Sequence, residues 1–119
     1  MIYKSFELKK IPENKTFYLV YGKNEGLKSE CIDEILKKNN GKIFNYDEIQ
    51  IKDKVDSFYE NILSNSLFES DKIILIKRAS DKIFDIIHNL IEKNLINIKI
   101  IINAGVLETR SKLRSLFEK

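Results

Sequence analysis

The chain has 119 residues, 43% of them hydrophobic and 33% charged, a length that buries one core and a composition that belongs to a compact globule, not a disordered tail. A single cysteine and a single histidine exclude an internal disulfide, a cysteine zinc cage and a histidine metal site. The net charge is only +3, and lysines and acids are interleaved, so no strong one-sign field marks a nucleic-acid surface.

The first ten residues, MIYKSFELKK, alternate apolar and charged side chains instead of building the apolar centre of a signal peptide. No apolar run is long enough to span a membrane, so a cytoplasmic protein is expected. Residues 16–21 (TFYLVY) form an aromatic and β-branched run that predicts a strand. From residue 25 to 38, Leu27, Cys31, Ile32, Ile35 and Leu36 fall at helical spacing. Cys31 lies on the buried face of that helix, as a small apolar filler and not a nucleophile.

Asn39, Asn40 and Gly41 signal a turn, and residues 42–46 (KIFNY) follow as the weakest of the expected strands. Ile51, Val55, Phe58, Tyr59, Ile62 and Leu63 then keep the period of one continuous amphipathic helix. Residues 72–77 (KIILIK) hold four consecutive apolar residues, the mark of a strand covered on both faces. Ser80 is placed to cap the next helix, with Asp81 in its first turn and Ile83, Phe84, Ile87, Leu90 and Ile91 on its buried side. A fourth strand is expected at residues 98–102 (IKIII), and Thr109 would cap a last helix with Leu113, Leu116 and Phe117 on one side.

Strands alternating with helices of these lengths predict right-handed βαβ units, hence an α/β fold: a three-layer αβα sandwich around a parallel sheet. The last helical pattern runs to the end of the sequence without a cap or tail. A single N-terminal domain over residues 1–119, cut from a longer chain, is the expectation.

One stretch invites a chemical reading. YGKNEGLKSE, residues 21–30, joins the first of these strands to its helix, where a phosphate-binding loop would lie. Against G-x-x-x-x-G-K-[ST] it supplies Gly22, Lys28 and Ser29 at the right spacing but has Leu27 where the second glycine belongs. Aligning Gly26 as that glycine puts Leu27 in the lysine position instead. Since the backbone must approach the phosphates in a conformation that a Cβ obstructs, the stretch reads as a degenerate phosphate loop. Leu27 then anchors the helix in the core, with Lys28 and Ser29 solvated. The strands also end without a carboxylate to hold magnesium: one runs into Lys77 and Arg78, the other into Asn103 and Ala104. Asp47 and Glu48 are paired only by adjacency and are expected in a solvated turn. No catalytic residue, metal or cofactor is assigned.

Residues 64–71 (SNSLFESD) form a polar loop holding two large apolar side chains. Leu67 and Phe68 either tuck under the loop as a satellite of the core or stand out as an exposed hydrophobic plug.

Taken together, FYLVYGKNEGL, then NSLFESDKIILIKRAS, then IKIIINAGVLETRSKL resemble the N-terminal domain of the delta subunit family of the bacterial DNA polymerase III clamp loader. Three features carry the likeness: the glycine-led loop closed by Leu27, the SLF sequence ahead of a strand bearing basic residues, and the late segment with Leu107, Arg110, Lys112 and Leu113. The resemblance implies a degenerate P-loop NTPase domain of the AAA+ type that has lost its ATP site and belongs to the DNA-directed DNA polymerase holoenzyme without catalysing a reaction. It implies that Leu67 and Phe68, supported by the polar Ser66 and Asn65, grip the ring-shaped sliding clamp (the beta subunit) and help open it during DNA replication. It further implies contacts with other clamp-loader subunits through regions beyond this chain, primed DNA reached through the assembled complex, and no membrane partner. The residues alone leave two other readings open: a P-loop nucleotide-binding protein with an atypical Walker A loop, and a basic nucleic-acid-binding domain using the lysine-rich surface.

Overall fold

The computed structural model describes residues 6–10, 16–38, 41–65, 71–93, 95 and 98–118. Its centre is a five-stranded sheet of β1 (Phe6–Lys10), β2 (Phe17–Gly22), β3 (Lys42–Asp47), β4 (Lys72–Ala79) and β5 (Ile98–Ala104) in the order β1-β2-β5-β4-β3. β2, β5, β4 and β3 run parallel, and β1 closes one edge antiparallel to β2. β4 and β5, the two continuous apolar runs, are the strands with parallel neighbours on both sides, as their composition requires.

Helix α1 (Glu25–Lys38) covers one face of the sheet, where Ile32 and Ile35 meet Val20, Ile73, Leu75 and Ile101. The other face carries α2 (Glu48–Asp53), α3 (Val55–Asn65), α4 (Phe84–Ile91), entered through a 3₁₀ turn at Asp81–Ile83, and α5 (Lys112–Glu118). Here Phe58, Ile62, Ile87, Leu90, Leu113 and Phe117 bury against Leu19, Ile74, Ile76, Ile100 and Ile102. Alternate residues of β2, β4 and β5 thus serve opposite layers, which makes the fold the expected three-layer sandwich.

Four local expectations need correction. The helix read over residues 51–63 is two helices, broken at Lys54, whose N–H turns back to the Ile51 carbonyl. Ile51, Val55, Phe58 and Ile62 still face one layer across the break, so the apolar period cannot register it. The loop read from residue 64 begins later, because Ser64 and Asn65 belong to α3. Thr109 does not cap the last helix; Ser111 does, its Oγ accepting the Arg114 N–H at 3.1 Å. Asp47 and Glu48 are not a solvated turn. Glu48 is 7% exposed, with one carboxylate oxygen accepting the Ser80 N–H at 2.8 Å and both within reach of the Ser80 hydroxyl. Asp47 meets the Arg78 guanidinium at 2.8 Å. Beyond these corrections, the sequence reading had no strand at β1.

The turn before β3 needs its glycine. Gly41 has φ +150°, and a Cβ there would stand 2.9 Å from the Asp71 carbonyl oxygen.

Asp81 ties the 3₁₀ turn to α5. Its carboxylate accepts a short hydrogen bond from the Ser111 hydroxyl, and the N–H groups of Lys112 and Leu113 donate to it at 3.2 Å. Burial alone would raise its pKa, but the Ser111 hydroxyl, the Leu113 and Lys112 amides and the Lys112 charge outweigh that and hold it below the usual carboxylate value. A depressed folded pKa contributes stability that is present above the unfolded value, near 3.8, and is lost as pH falls from there through the folded value. Asp81→Asn keeps an acceptor and removes the titration. Thermal melts between pH 5 and pH 2.5 are expected to show a flatter acid limb for the variant than for the parent; parallel limbs would disprove it.

Candidate functional site

The chain order in the sheet creates a crevice between β2 and β5, where the connections leave to opposite faces: α1 after β2, the α5 connection after β5. In open α/β sheets, ligands enter at the carboxyl ends of the strands flanking such a crevice. The YGKNEGLKSE stretch lies there. Gly22 closes β2 with φ +134°, a conformation that suits glycine, and its N–H donates to the Gly105 carbonyl just past β5.

The next residues spend their donors internally. Asn24 caps α1, its Oδ1 accepting the Leu27 N–H at 3.0 Å, so that amide is committed to the chain itself. Leu27 packs partly buried on the α1 layer, as expected of a helix anchor. Ser29 is exposed, as expected, and a Cβ on Gly26 would meet only the Asn24 side chain, at an ordinary 3.4 Å.

Lys28 departs from the expectation of a solvated side chain. It is 1% exposed, and its Nζ donates to the Ala104 carbonyl at the end of β5 over 2.8 Å and pairs with Glu25 at 3.1 Å. The lysine that imitates a phosphate ligand therefore bridges the crevice from α1 to β5. Its neighbour Leu27 is the more exposed of the two, because the helix turns position 28, not 27, beneath the β5 end. Asn24 could have been found in the sequence, as an asparagine just before a helical run; the burial of Lys28 could not, since nothing local distinguishes it from a solvated lysine. Replacing Lys28 by methionine keeps the apolar stem and loses the charge-assisted bond, at about 1 kcal/mol; alanine also leaves a void, at about 2 to 3 kcal/mol. Urea unfolding of both variants checks the order, and equal midpoints for parent and alanine variant would refute it.

At the C-terminal end of β4, Arg78 takes φ +54° at a register shift between Ile76 and Ala79, which aims its guanidinium at Asp47. Cys31 is half-buried, and burial, then the Glu34 charge, push its thiol pKa up, which suits a filler and not a nucleophile. Among the described residues no three His, Cys, Asp or Glu side chains gather as a metal site, and no helix is long and apolar enough to cross a membrane.

The other candidate segment, residues 66–70, falls between α3, which closes at Asn65, and β4, which opens at Lys72 at the amino end of the parallel strands, about 20 Å along β4 from the crevice end. Ser66, Leu67 and Phe68 fall outside the described residues, as does the Asn65 side chain; the structure describes what brackets them.

No curated protein and no solved structure matches the chain. A family model described as DNA polymerase III, delta subunit, matches residues 18–119, a span that takes in the crevice elbow, the 66–70 segment and α5. A match over most of the length, on a fold of the kind the resemblance implied, means that the chain belongs to the DNA polymerase III delta subunit family.

Proposed function

We propose that the chain is the clamp-gripping part of a clamp loader, binding the sliding clamp (beta subunit) through Leu67 and Phe68, with Asn65 and Ser66 as polar support. The family is a non-catalytic component of the clamp loader in the polymerase III holoenzyme and acts in DNA replication. The observation that carries the reading is that the family match spans residues 18–119, a range that includes the SLF segment. The segment's placement between the end of α3 and the start of β4 supports it, since two packed elements then hold the ends of a short apolar plug.

In this reading the crevice elbow is a structural relic. Lys28 and the Leu27 amide already have partners within the chain, so a nucleotide phosphate would have to displace both. Opening the ring needs no ATP at this subunit: it follows if the chain binds the relaxed, open clamp interface better than the closed one, since equal affinity shifts nothing. Contacts with the remaining loader subunits and with primed DNA belong to the assembled complex.

The test is direct binding. The chain titrated onto immobilised sliding clamp gives a saturable isotherm that a chain altered at Leu67 and Phe68 does not reproduce. A folded parent chain that fails to bind the clamp overturns the proposal.

A further inference from the structure

Lys42 and Lys72 open β3 and β4 and stand directly opposite each other in the parallel ladder. Both ammonium groups lie over one aromatic ring: Lys72 Nζ is 4.8 Å from the Phe44 ring centroid and Lys42 Nζ is 5.8 Å from it. The half-buried ring packs on the core formed under α3, so it serves as a fixed platform. Among the described residues neither lysine makes an ion pair. Like charges set opposite one another destabilise a sheet. Burial, and then the Lys42 charge, lower the pKa of Lys72.

The pair also has a position. The Lys42 N–H donates to the Asp71 carbonyl at 3.0 Å, which fastens the start of β3 to the residue that closes the 66–70 segment. Lys72 is four residues along the chain from Phe68 and five from Leu67, so even fully extended it lies within about 14 Å of the first and about 18 Å of the second. A standard interface covers about 800 Å² per partner, a patch about 30 Å across. A contact centred on Phe68 therefore reaches the lysine pair at its rim.

Resting on the clamp reading above, we infer that Lys42 and Lys72, held on Phe44, form a cationic contact for an acidic rim beside the apolar pocket of the sliding clamp. An acidic partner relieves the repulsion that the free chain carries, and it supplies the flanking contact that two apolar side chains need to reach useful affinity.

The test compares the chain with its K42Q/K72Q variant for association with sliding clamp at several salt concentrations. The association rate of the variant is expected to fall about tenfold at low salt and to lose most of its salt dependence, with its melting temperature kept or raised. The same rate and salt slope in both proteins would overturn the inference. So would a variant that aggregates but binds the clamp unchanged, since the lysines would then be guards of an open sheet edge. Loss of duplex DNA binding with clamp binding intact would also overturn it, assigning the pair to phosphates. A parent chain that does not bind the clamp at any salt removes the clamp reading, and this inference with it.

Discussion

A chain carrying alanine at both Leu67 and Phe68 is expected to bind the sliding clamp at least about a hundredfold more weakly than its parent. Burying each side chain in an apolar pocket contributes about 1.5 to 3 kcal/mol. Removing both therefore costs about 3 to 6 kcal/mol, or about two to four powers of ten in the dissociation constant. The ordering cost of association is unchanged by the substitution, so nearly all of this loss appears in the measured affinity. If the two residues form a plug, the melting temperature stays within a degree or two of the parent. Calorimetric titration and a thermal melt, run on the same preparations, decide it. An affinity within threefold of the parent disproves the plug, and a collapse in melting temperature assigns the pair to the core instead.

The second large effect lies in the helix that leads into that segment. Phe58 of α3 is 2% exposed and meets the Tyr46 ring edge-on, with centroids 5.1 Å apart. Its truncation to alanine removes the transfer energy of a ring and leaves a void between α3 and the β3 side of the sheet, at a cost of about 3 to 5 kcal/mol. A domain of this size has about 5 to 15 kcal/mol in all, so the variant sits near the edge of folding at 37 °C. The midpoint of urea unfolding is the measurement, and a loss under about 1 kcal/mol would mean that α3 does not pack as described. Phe58→Ala serves as a control for the first experiment. It weakens clamp binding only in proportion to the unfolded fraction, whereas the Leu67 and Phe68 substitutions weaken it in a folded chain.

The sequence was most legible where burial dictates a period. The helix expected over residues 25–38 has those bounds, and the runs KIILIK and IKIII are strands, as expected, each with a neighbour on both sides. Legibility failed where a tertiary partner decides. Ser111 displaces Thr109 as the cap because Asp81, thirty residues away, fixes the start of α5. Glu48 is buried because the Ser80 hydroxyl and amide wait at the end of β4. β1 was hidden for another reason. Its alternation is a strand signal, but so short a run forms a strand only beside the edge of β2, and neither that edge nor its register can be read locally.

At the candidate sites, Leu27 in place of a loop glycine was plain in the sequence, yet the partner of Lys28 was not. Lys28 reaches Ala104 across seventy-six positions of chain, a separation no motif spacing encodes. The Lys42 and Lys72 pair left a faint trace, a lysine leading each of KIFNY and KIILIK. Only the ladder between β3 and β4 turns that coincidence into a shared patch.

The close approach of Gly41 to Asp71 has a mechanical side. With no room for a Cβ at Gly41 and with the Lys42 amide on the Asp71 carbonyl, the root of the 66–70 segment is clamped on one side while β4 continues straight from it. From Lys72 to Ile76 β4 is paired with both β3 and β5, so a pull entering at Asp71 is shared in shear by two rows of hydrogen bonds at once. A joint of this kind yields little before it moves as a whole. Torque applied through β4 would reach Asp71 without being absorbed in a swivel there.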